Sequence, residues 1–521
     1  MKQKLLFLFI VGTFLRTTSL FAETPTGADF NWFSPKKSQP LLGLEYTFLS
    51  GNENLFYYYQ YDKVNKRSLL AKYDATTNKT TSFVLKLKTE GVERDYQLTQ
   101  SLNDSLYVFS SFKNKKQNKY YFFVENVDMK AFKLKNNPRM IAEIDYDDVK
   151  GLKSSDFGLW FSDDNKHFLI SYTLQSRDGS ILRYGFKVLD RQYNEIWKFE
   201  DDIPKVQGKW FLFGYRIDQN ANVYMISRAY ENEKDVNNHY ERSKLYVKLI
   251  NKDGTKGVDQ ELSLSGDKFI TAQTFRLSKN NELICAGLYA KQGNESAVGN
   301  FSIVCKPGQT AIKSIDSRDF DKAFFTKGMN EKAAQKMEEK VDKNKDFEND
   351  FDYSFGKTMY RSDGGISYII QKKKLTIQTY VQQGMRYTYY NYYYDDIIIL
   401  TYNAEGKIMW VQKIPQTQKL MNGSRYYGSY VINIDNDDRM NFIYNLSSSA
   451  VTGIKAGSVK KTVCLSLDKD GKESFLELSD NEMHGFSPVL SVYLGDRRFL
   501  VGSVNIGFVK AKLNWGVMTL K

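Results

Sequence analysis

The feature that most constrains the fold of this sequence is a unit of roughly 50 to 60 residues that recurs along most of the chain. Each unit contains an apolar strand, a tight polar turn and a second, strongly apolar strand. The turns have the sequences SGNEN, SDDNK, DQNAN, SKNNE and DNDDR, and strands such as HFLIS, VYMIS, LICAG and NFIYN follow them. The repeat indicates one supersecondary unit that is used many times.

A second turn recurs inside most units, in the forms LDRQYN, NKDG, NAEG and DKDG, and it separates a third strand from a fourth. Asp, Asn and Gly recur in these turns because they tolerate the positive φ angles that tight hairpin turns need. Four antiparallel strands per unit, repeated seven or eight times, predict an all-β fold, a single β-propeller of seven or eight blades. Two or three β-sandwich domains are the nearest alternative, but they would not need one turn pattern along the whole chain.

The N-terminal sequence predicts export. Two lysines precede an apolar stretch, and Ala22 offers a small residue for signal peptidase, so residues 1–22 are predicted to be a signal peptide. Residues 23–44 would then form an N-terminal segment that takes part in ring closure, and residues 45–521 the propeller. We expect residues 31–42 to pack against the C-terminal unit, which looks short of a complete four-strand set.

One segment breaks the β pattern. Residues 316–347 are rich in Ala, Glu, Lys and Gln, and Met329, Ala333 and Met337 lie at helical spacing. This segment is predicted to form a short helical insertion between the fifth and sixth units. Its Met and Phe side chains are interpreted as packing contacts rather than as a cofactor site.

The charge and the cysteines restrict the partners and the chemistry. The net charge is +13, which after a signal peptide favours an envelope or extracellular protein or an anionic glycan over nucleic acid; a solubilising lysine-rich surface is the alternative. No later stretch has the length of a transmembrane helix. We expect a periplasmic or extracellular protein, with outer-membrane association left open. Cys285 and Cys305 would either form one bridge or remain two buried thiols, and with Cys464 they give no disulfide framework.

The meander places the loops on two different rims. If the strands of each unit run A, B, C, D, the A–B and C–D turns lie on one rim, called here the short-turn rim. The B–C loops and the D–A crossovers lie on the opposite, long-loop rim. The segment MRYTYYNYYYDDIIIL, residues 385–400, is predicted to be the far half of an extended B–C hairpin on the long-loop rim.

This hairpin supplies the candidate binding residues. Exposed tyrosines with adjacent cations suit a protein or an anionic glycan, whereas the structural alternative is a hairpin that is merely rich in strand-forming residues. The candidates are Tyr387, Tyr389, Tyr390, Tyr392, Tyr393, Arg386, Lys372, Lys373 and Lys374.

No motif names a reaction, and we predict no catalytic residue, metal site or cofactor. The three histidines, His167, His239 and His484, belong to different units, and the nucleophile-elbow, zinc-helix and phosphate-loop patterns are not present. Paired carboxylates occur at 147–148, 201–202, 395–396 and 437–438, but a glycosidase needs two carboxylates placed across its substrate. The function predicted is binding or scaffolding through the long-loop rim. The alternative is a glycan-active hydrolase or lyase with carboxylates on the same rim.

One stretch carries a family resemblance. An Asp-Gly-Gly turn at 363–365 is followed by the aromatic loop, DIII at 396–399, GKI with Trp410, and KIP with Gln418. Over residues 363–430 this pattern resembles a recurrent group of secreted, largely uncharacterised β-propeller-like proteins of Bacteroidota. The resemblance implies an extracytoplasmic propeller and carries over no catalytic residue.

Overall fold

The structure is a computed structural model of the chain. It describes residues 27–33, 44–63, 65–89, 91–102, 104–146, 152–176, 181–204, 209–230, 240–345, 351–382, 385–447, 459–478, 486–506 and 511–521. The predicted signal peptide, His239, His484 and most of residues 31–42 lie outside the described residues.

The described residues fold into a β-propeller of eight blades, each an antiparallel sheet of at least four strands. The first strand, β1 (Ala28–Trp32), belongs to the last blade. Blade 1 contains β2 (Leu44–Gly51), β3 (Leu55–Asp62), β4 (Arg67–Asp74) and β5 (Lys79–Val84), and a small hairpin of β6 (Lys88–Thr89) and β7 (Val92–Glu93) follows it. Blade 2 contains β8 (Asp95–Leu102), β9 (Ser105–Asn114), β10 (Lys119–Asp128), β11 (Lys133–Leu134) and β12 (Arg139–Asp145). Blade 3 contains β13 (Leu152–Phe161), β14 (His167–Ser176), β15 (Ile181–Asp190) and β16 (Glu195–Pro204).

The remaining blades follow in chain order. Blade 4 contains β17 (Lys209–Ile217), β18 (Val223–Tyr230), β19 (Ser243–Ile250) and β20 (Gln260–Leu262). Blade 5 contains β21 (Lys268–Leu277), β22 (Leu283–Lys291), β23 (Gly299–Cys305) and β24 (Ile312–Asp319). Blade 6 contains β25 (Asp352–Phe355), β26 (Met359–Tyr360), β27 (Ile366–Gln382), β28 (Met385–Tyr402), β29 (Ile408–Ile414) and β30 (Gln418–Met421). Blade 7 contains β31 (Tyr430–Ile434), β32 (Met440–Ser447), β33 (Val459–Leu467) and β34 (Glu473–Glu477), and blade 8 contains β35 (Phe486–Gly495), β36 (Arg498–Ile506) and β37 (Ala511–Leu520) with β1.

The core lies between the blades. Among the described residues there are eight clusters of buried apolar side chains, and each joins one pair of neighbouring blades. The cluster between blades 8 and 1, for example, packs Phe56 and Tyr58 against Leu500 and Trp515. A four-stranded meander therefore buries its two faces against its two neighbours.

The ring is closed by pairing the two ends of the chain. β1 pairs with β37 in antiparallel register from Ala28–Leu520 to Trp32–Gly516. Blade 8 thus takes three strands from the C-terminal unit and its outer strand from the N-terminal segment.

The recurrent turns owe their form to one hydrogen-bond pattern. An Asp opens each of four equivalent turns, and its Oδ1 accepts the backbone N–H groups two and four residues later at 2.8–3.0 Å; these residues are Asp190, Asp218, Asp435 and Asp468. The fourth residue of each turn has a positive φ, at Tyr193, Ala221, Asp438 and Gly471. Asp435, the first residue of DNDDR, is therefore a turn residue, as its position in the repeat suggests.

The helical insertion begins later in the chain than predicted. Residues 316–319 complete β24, and the helices are α1 (Lys322–Thr326) and α2 (Glu331–Asp342). Asp321 and Asn330 cap their N-termini, while Phe320 and Phe325 are buried in the cluster between blades 5 and 6. Cys285 and Cys305 are unbonded, buried thiols in the cluster between blades 4 and 5.

Closure can be tested at Gly516, where β37 meets β1. A Cβ at this position would lie 2.7 Å from the Trp32 ring and 2.9 Å from the Asn31 carbonyl oxygen. Gly516→Val should therefore separate the two strands and lower the free energy of unfolding by about 1–3 kcal/mol, measured by denaturant unfolding.

Thr519→Val is the matched control, because Thr519 is half-buried on the same strand. It should change stability by less than about 0.5 kcal/mol. Equal stability of the Gly516→Val protein and the wild type would show that this pairing does not hold the ring together.

Candidate functional site

The tyrosine run lies on a hairpin that projects from the long-loop rim of blade 6. Its strands, β27 and β28, have 17 and 18 residues. On the outer side, β30 pairs with β28 only as far as Asn391. On the inner side, β25 pairs with β27 only as far as Lys373. Among the described residues, the part beyond these positions is a two-stranded ribbon. We call this ribbon together with the paired positions at its base, residues 375–382 and 385–392, the tyrosine hairpin.

One face of the tyrosine hairpin is exposed and largely apolar, and the hydrogen-bonded pair Thr379–Thr388 lies between its aliphatic residues. Because directly paired residues of an antiparallel sheet share a face, Leu375, Ile377 and Val381 lie on the same face as Tyr390 and Arg386. The three aliphatic residues are 51%, 58% and 69% exposed, and Tyr390 is 41% exposed. Aliphatic side chains at such exposure form a patch, in contrast with single surface apolar residues.

The opposite face carries a stack of tyrosine rings. Tyr380 of β27 lies 5.1 Å from Tyr389 and 5.8 Å from Tyr387, centroid to centroid, with the Tyr389 ring nearly parallel. Tyr393, nearer the blade, has the Lys419 ammonium 5.5 Å from its ring centroid. These rings cover one another, so they stiffen the ribbon as well as line its surface.

The base of the hairpin is anchored to other blades. Arg425, in the crossover from blade 6 to blade 7, bonds to Tyr392 and lies 3.1 Å from the Glu45 carboxylate of blade 1. The next residue, Tyr426, is buried in the cluster between blades 8 and 1. The base of the hairpin is therefore held in place by contacts with blade 1 and with the cluster between blades 8 and 1.

The three candidate lysines have different environments. Lys372 is only 12% exposed, with its Nζ 4.0 Å from Asp396 Oδ2. Burial lowers the pKa of Lys373, and its Nζ lies 6.0 Å from the Tyr394 ring centroid. Lys374 is half-buried on the tyrosine-stack face, opposite Tyr393. Of the four candidate cations, Arg386 alone is classed as exposed among the described residues.

A second polar site lies beside the hairpin base. Asp395 and Asp396 stand opposite Lys372 at a bulge between β27 and β28. They line a pocket of about 140 Å³ with Lys372 and Lys413, called here the carboxylate pocket. Its apolar wall comes from α1, α2, the connection between them and the segment before α1, through Phe320, Phe324, Phe325, Met329 and Met337.

The two carboxylates of the pocket have unequal surroundings. The Lys413 Nζ lies 3.6 Å from Asp396 Oδ2 and donates to the Phe325 carbonyl oxygen at 2.9 Å. Burial lowers the pKa of Lys413, whereas burial and the adjacent Asp396 charge raise the pKa of Asp395. Asp396 is thus the counter-ion of a buried lysine, and Asp395 is a carboxyl that keeps its proton to a higher pH than an exposed aspartate does.

Of the other sequence candidates for chemistry, the described pairs 201–202 and 437–438 and His167 do not line this pocket, and Asp147 and Asp148 lie outside the described residues. Asp201 accepts a hydrogen bond from Tyr184, and Asp202 pairs with Arg183 on the other face of blade 3. His167 opens β14 on the short-turn rim. Within the described part of the chain, no cluster of three or more His, Cys, Asp or Glu side chains could hold a metal ion.

Sequence reasoning named Asp395 and Asp396 only as one of four adjacent pairs. Sequence reasoning did not predict that these two carboxylates lie beside Lys413, which belongs to the next strand, β29. A lysine in the apolar strand IMWVQKI was the one available signal, because a buried ammonium needs a counter-ion.

Comparisons with known proteins add distant structural neighbours. No family model and no curated protein matches the sequence. The solved structures include the β-propeller domain of the Trilobed protease from Pyrococcus furiosus, at 11% identity and a TM-score of 0.32, covering 87% of this chain and 97% of that one. The alpha-L-arabinanase of Penicillium chrysogenum matches at 9% identity and a TM-score of 0.31, covering 81% of this chain and 92% of that one.

In the described residues, no helix has the length and apolarity to cross a membrane.

The carboxylate pocket gives a pH-dependent prediction. Because the folded state raises the pKa of Asp395, it binds this proton more readily than the unfolded state. The resulting stabilisation is complete below the unfolded pKa of about 4 and is lost as the pH rises through the folded pKa. Asp395→Asn should therefore raise the melting temperature at neutral pH, and the gain should shrink in acid.

Asp396→Asn is the contrasting variant. It removes the counter-ion of Lys413, whose side chain is 5% exposed, and should lower the free energy of unfolding by about 1–3 kcal/mol at neutral pH. Thermal melts of both variants across a pH series make the comparison. A destabilising Asp395→Asn change at neutral pH would contradict the assignment of the two roles.

Proposed function

We propose that this protein is an extracytoplasmic binding protein, and that the apolar face of the tyrosine hairpin contacts an acidic protein partner. The observation that carries the proposal is the exposed row of Leu375, Ile377, Val381 and Tyr390 on a braced, projecting ribbon. Exposed apolar patches of this kind are typical of protein interaction surfaces. Export rests on the predicted signal peptide.

The chemistry of the face favours a protein over an anionic glycan at this rim. Aliphatic side chains gain little from polar sugar hydroxyls, but they fit an apolar groove of a protein. Lys372 and Lys373 are drawn toward Asp396 and Tyr394 instead of pointing a charge cluster into solvent.

The positive charge of the hairpin indicates that the partner is acidic. No Asp or Glu occurs between Lys372 and Tyr394, where the ionisable cations are three lysines and Arg386. With a net charge of +13, the surface attracts a negatively charged partner, and this attraction accelerates association more than it tightens binding.

The test begins with a photo-crosslinking amino acid at Ile377 in the full chain, which identifies the envelope or extracellular protein held at this position. Binding is then measured with that purified partner. The double variant Ile377→Ser, Val381→Ser should weaken it about tenfold or more, because exposed anchors that become buried carry much of an interface's energy.

The matched control is Val258→Ser, Ile315→Ser. These residues are also exposed and β-branched, at 84% and 49%, but lie on blades 4 and 5. The control should bind as the wild type does, and both variants should melt at the wild-type temperature. Equal binding by the two variants would reject the hairpin surface. If the wild type forms a dimer that only the hairpin variant disrupts, the partner is a second copy of this chain. If the hairpin binds anionic lipid vesicles, the partner is a membrane surface rather than a protein.

A glycan-active enzyme is a second candidate, supported by the grouping of Asp395 and Asp396 with Lys372 and Lys413 in one pocket at the hairpin base. In that case Asp395, whose pKa is raised by burial and by Asp396, would act as general acid. The enzyme would release reducing ends or unsaturated products from acidic or neutral polysaccharides, and Asp395→Asn would reduce the rate by about 100-fold or more. Full activity of the Asp395→Asn protein would remove this assignment.

A further inference from the structure

A cleft on the short-turn rim, far from the tyrosine hairpin, has the composition of a ligand site. It lies between blades 2 and 3 and has a volume of about 670 Å³. It is lined by residues of β8, β9, β10, β13 and β14, by the connection from β11 to the start of β12 in blade 2, and by the C–D turn of blade 3. The lining side chains used below are Tyr107, Tyr193, Lys135, Arg139, Lys166 and Arg191.

The floor of the cleft is aromatic. The Tyr193 ring packs edge-on against Tyr107 at 5.8 Å and against Phe168 at 5.9 Å. Tyr193 is only 8% exposed, yet its hydroxyl has no hydrogen-bond partner among the described residues. A buried hydroxyl without a partner is costly, and a ligand that reached it would supply one.

The position of Tyr193 in its turn is unusual. It has φ 61°, in the left-handed region, where the other three turns that open with Asp have Ala221, Asp438 and Gly471. A bulky side chain is disfavoured there. The turn sequence therefore places an aromatic ring in the cleft at a cost in backbone strain.

The edge of the cleft is cationic. Lys135, Arg139, Lys166 and Arg191 are exposed along it, and Arg139 is fixed by donating to Asn194 Oδ1 at 2.6 Å. Asp190 is the one carboxylate among the lining residues, and its oxygens already accept the Gln192 and Asn194 N–H groups of its own turn. Lys166 lies 3.5 Å from the Asp164 carboxylate, so an anion entering the cleft meets chiefly Lys135, Arg139 and Arg191.

We propose that this cleft binds an acidic saccharide, one that carries carboxylate or sulfate groups. The aromatic floor would contact the C–H face of a sugar ring, and the Tyr193 hydroxyl would bond to a sugar oxygen. Lys135 and Arg191 would pair with the acidic groups, because charge-assisted bonds to carboxylate or sulfate are the stronger ones. The amides of Asn126, Asn137 and Asn165, which also line the cleft, suit sugar hydroxyls. This site is separate from the tyrosine hairpin and does not depend on the protein partner.

The experiment titrates the full chain with tetragalacturonate and with a chondroitin sulfate tetrasaccharide, using neutral galactotetraose as the uncharged probe. The wild type should bind at least one acidic probe and bind the neutral one at least about tenfold more weakly. Lys135→Glu, Arg191→Glu should weaken acidic-probe binding about tenfold or more. Tyr193→Phe should weaken it severalfold without lowering the melting temperature, since it removes only the unpartnered hydroxyl.

Lys115→Glu, Lys116→Glu is the matched control. It makes the same charge change, but at the exposed B–C turn of blade 2 on the opposite rim, and should alter affinity less than twofold. Equal weakening by the two charge variants would mean that net charge alone attracts the saccharide and would overturn the site. Failure of the wild type to bind either acidic probe would overturn it as well. The Ile377→Ser, Val381→Ser protein should bind these probes normally, so this result is independent of the hairpin proposal.

Discussion

The whole architecture depends on one packing constraint, which is that a four-stranded meander with two apolar faces is unstable unless both faces are covered. Each blade here covers one face of each neighbour, and the eight inter-blade clusters are the only large apolar cores in the described chain. A linear array would leave two faces uncovered at its ends. Pairing β1 with β37 completes the last blade and lets blades 8 and 1 cover one another.

Because packing fixes the middle of every blade, the two rims are free to differ in chemistry. On the long-loop rim, blade 6 extends its central hairpin to nearly twice the usual strand length, while its inner and outer strands are each broken in two. On the short-turn rim, Asp side chains accept backbone N–H groups and fix the shape of the turns. What differs from one turn to the next is the residue at the left-handed position. Tyr193 is the instance in which that residue is large enough to build a cleft floor.

The sequence was sufficient to predict what depends on local rules. Turn residues such as Asp435 and the periodic strands predicted a propeller, and the alternation of the tyrosine run predicted two differently oriented faces. The blade number stayed at seven or eight because the last blade is assembled from both ends of the chain. The start of the helical insertion was misplaced, since residues 316–319 are polar and still complete a strand on the blade edge.

Convergence of side chains from different strands or blades could not be predicted. Lys413 reaches Asp396 through a bulge, and Arg191 meets Lys135 across a blade interface. Neither proximity follows from a characteristic residue spacing in the sequence, because both depend on how strands and blades pack against one another. A lone buried lysine, such as Lys413, can indicate that a counter-ion exists but not which carboxylate supplies it.

The closure strand has a consequence for the order in which the molecule can fold. Ala28 and Leu520 are 492 positions apart along the chain and pair directly, so this contact has nearly the largest loop-closure entropy that the chain allows. Seven blades are complete from contiguous sequence and can form successively, while the eighth waits for its outer strand. We expect ring closure to be the last and slowest step of folding, during which the open edge of β37 is the surface most exposed to mispairing with another chain.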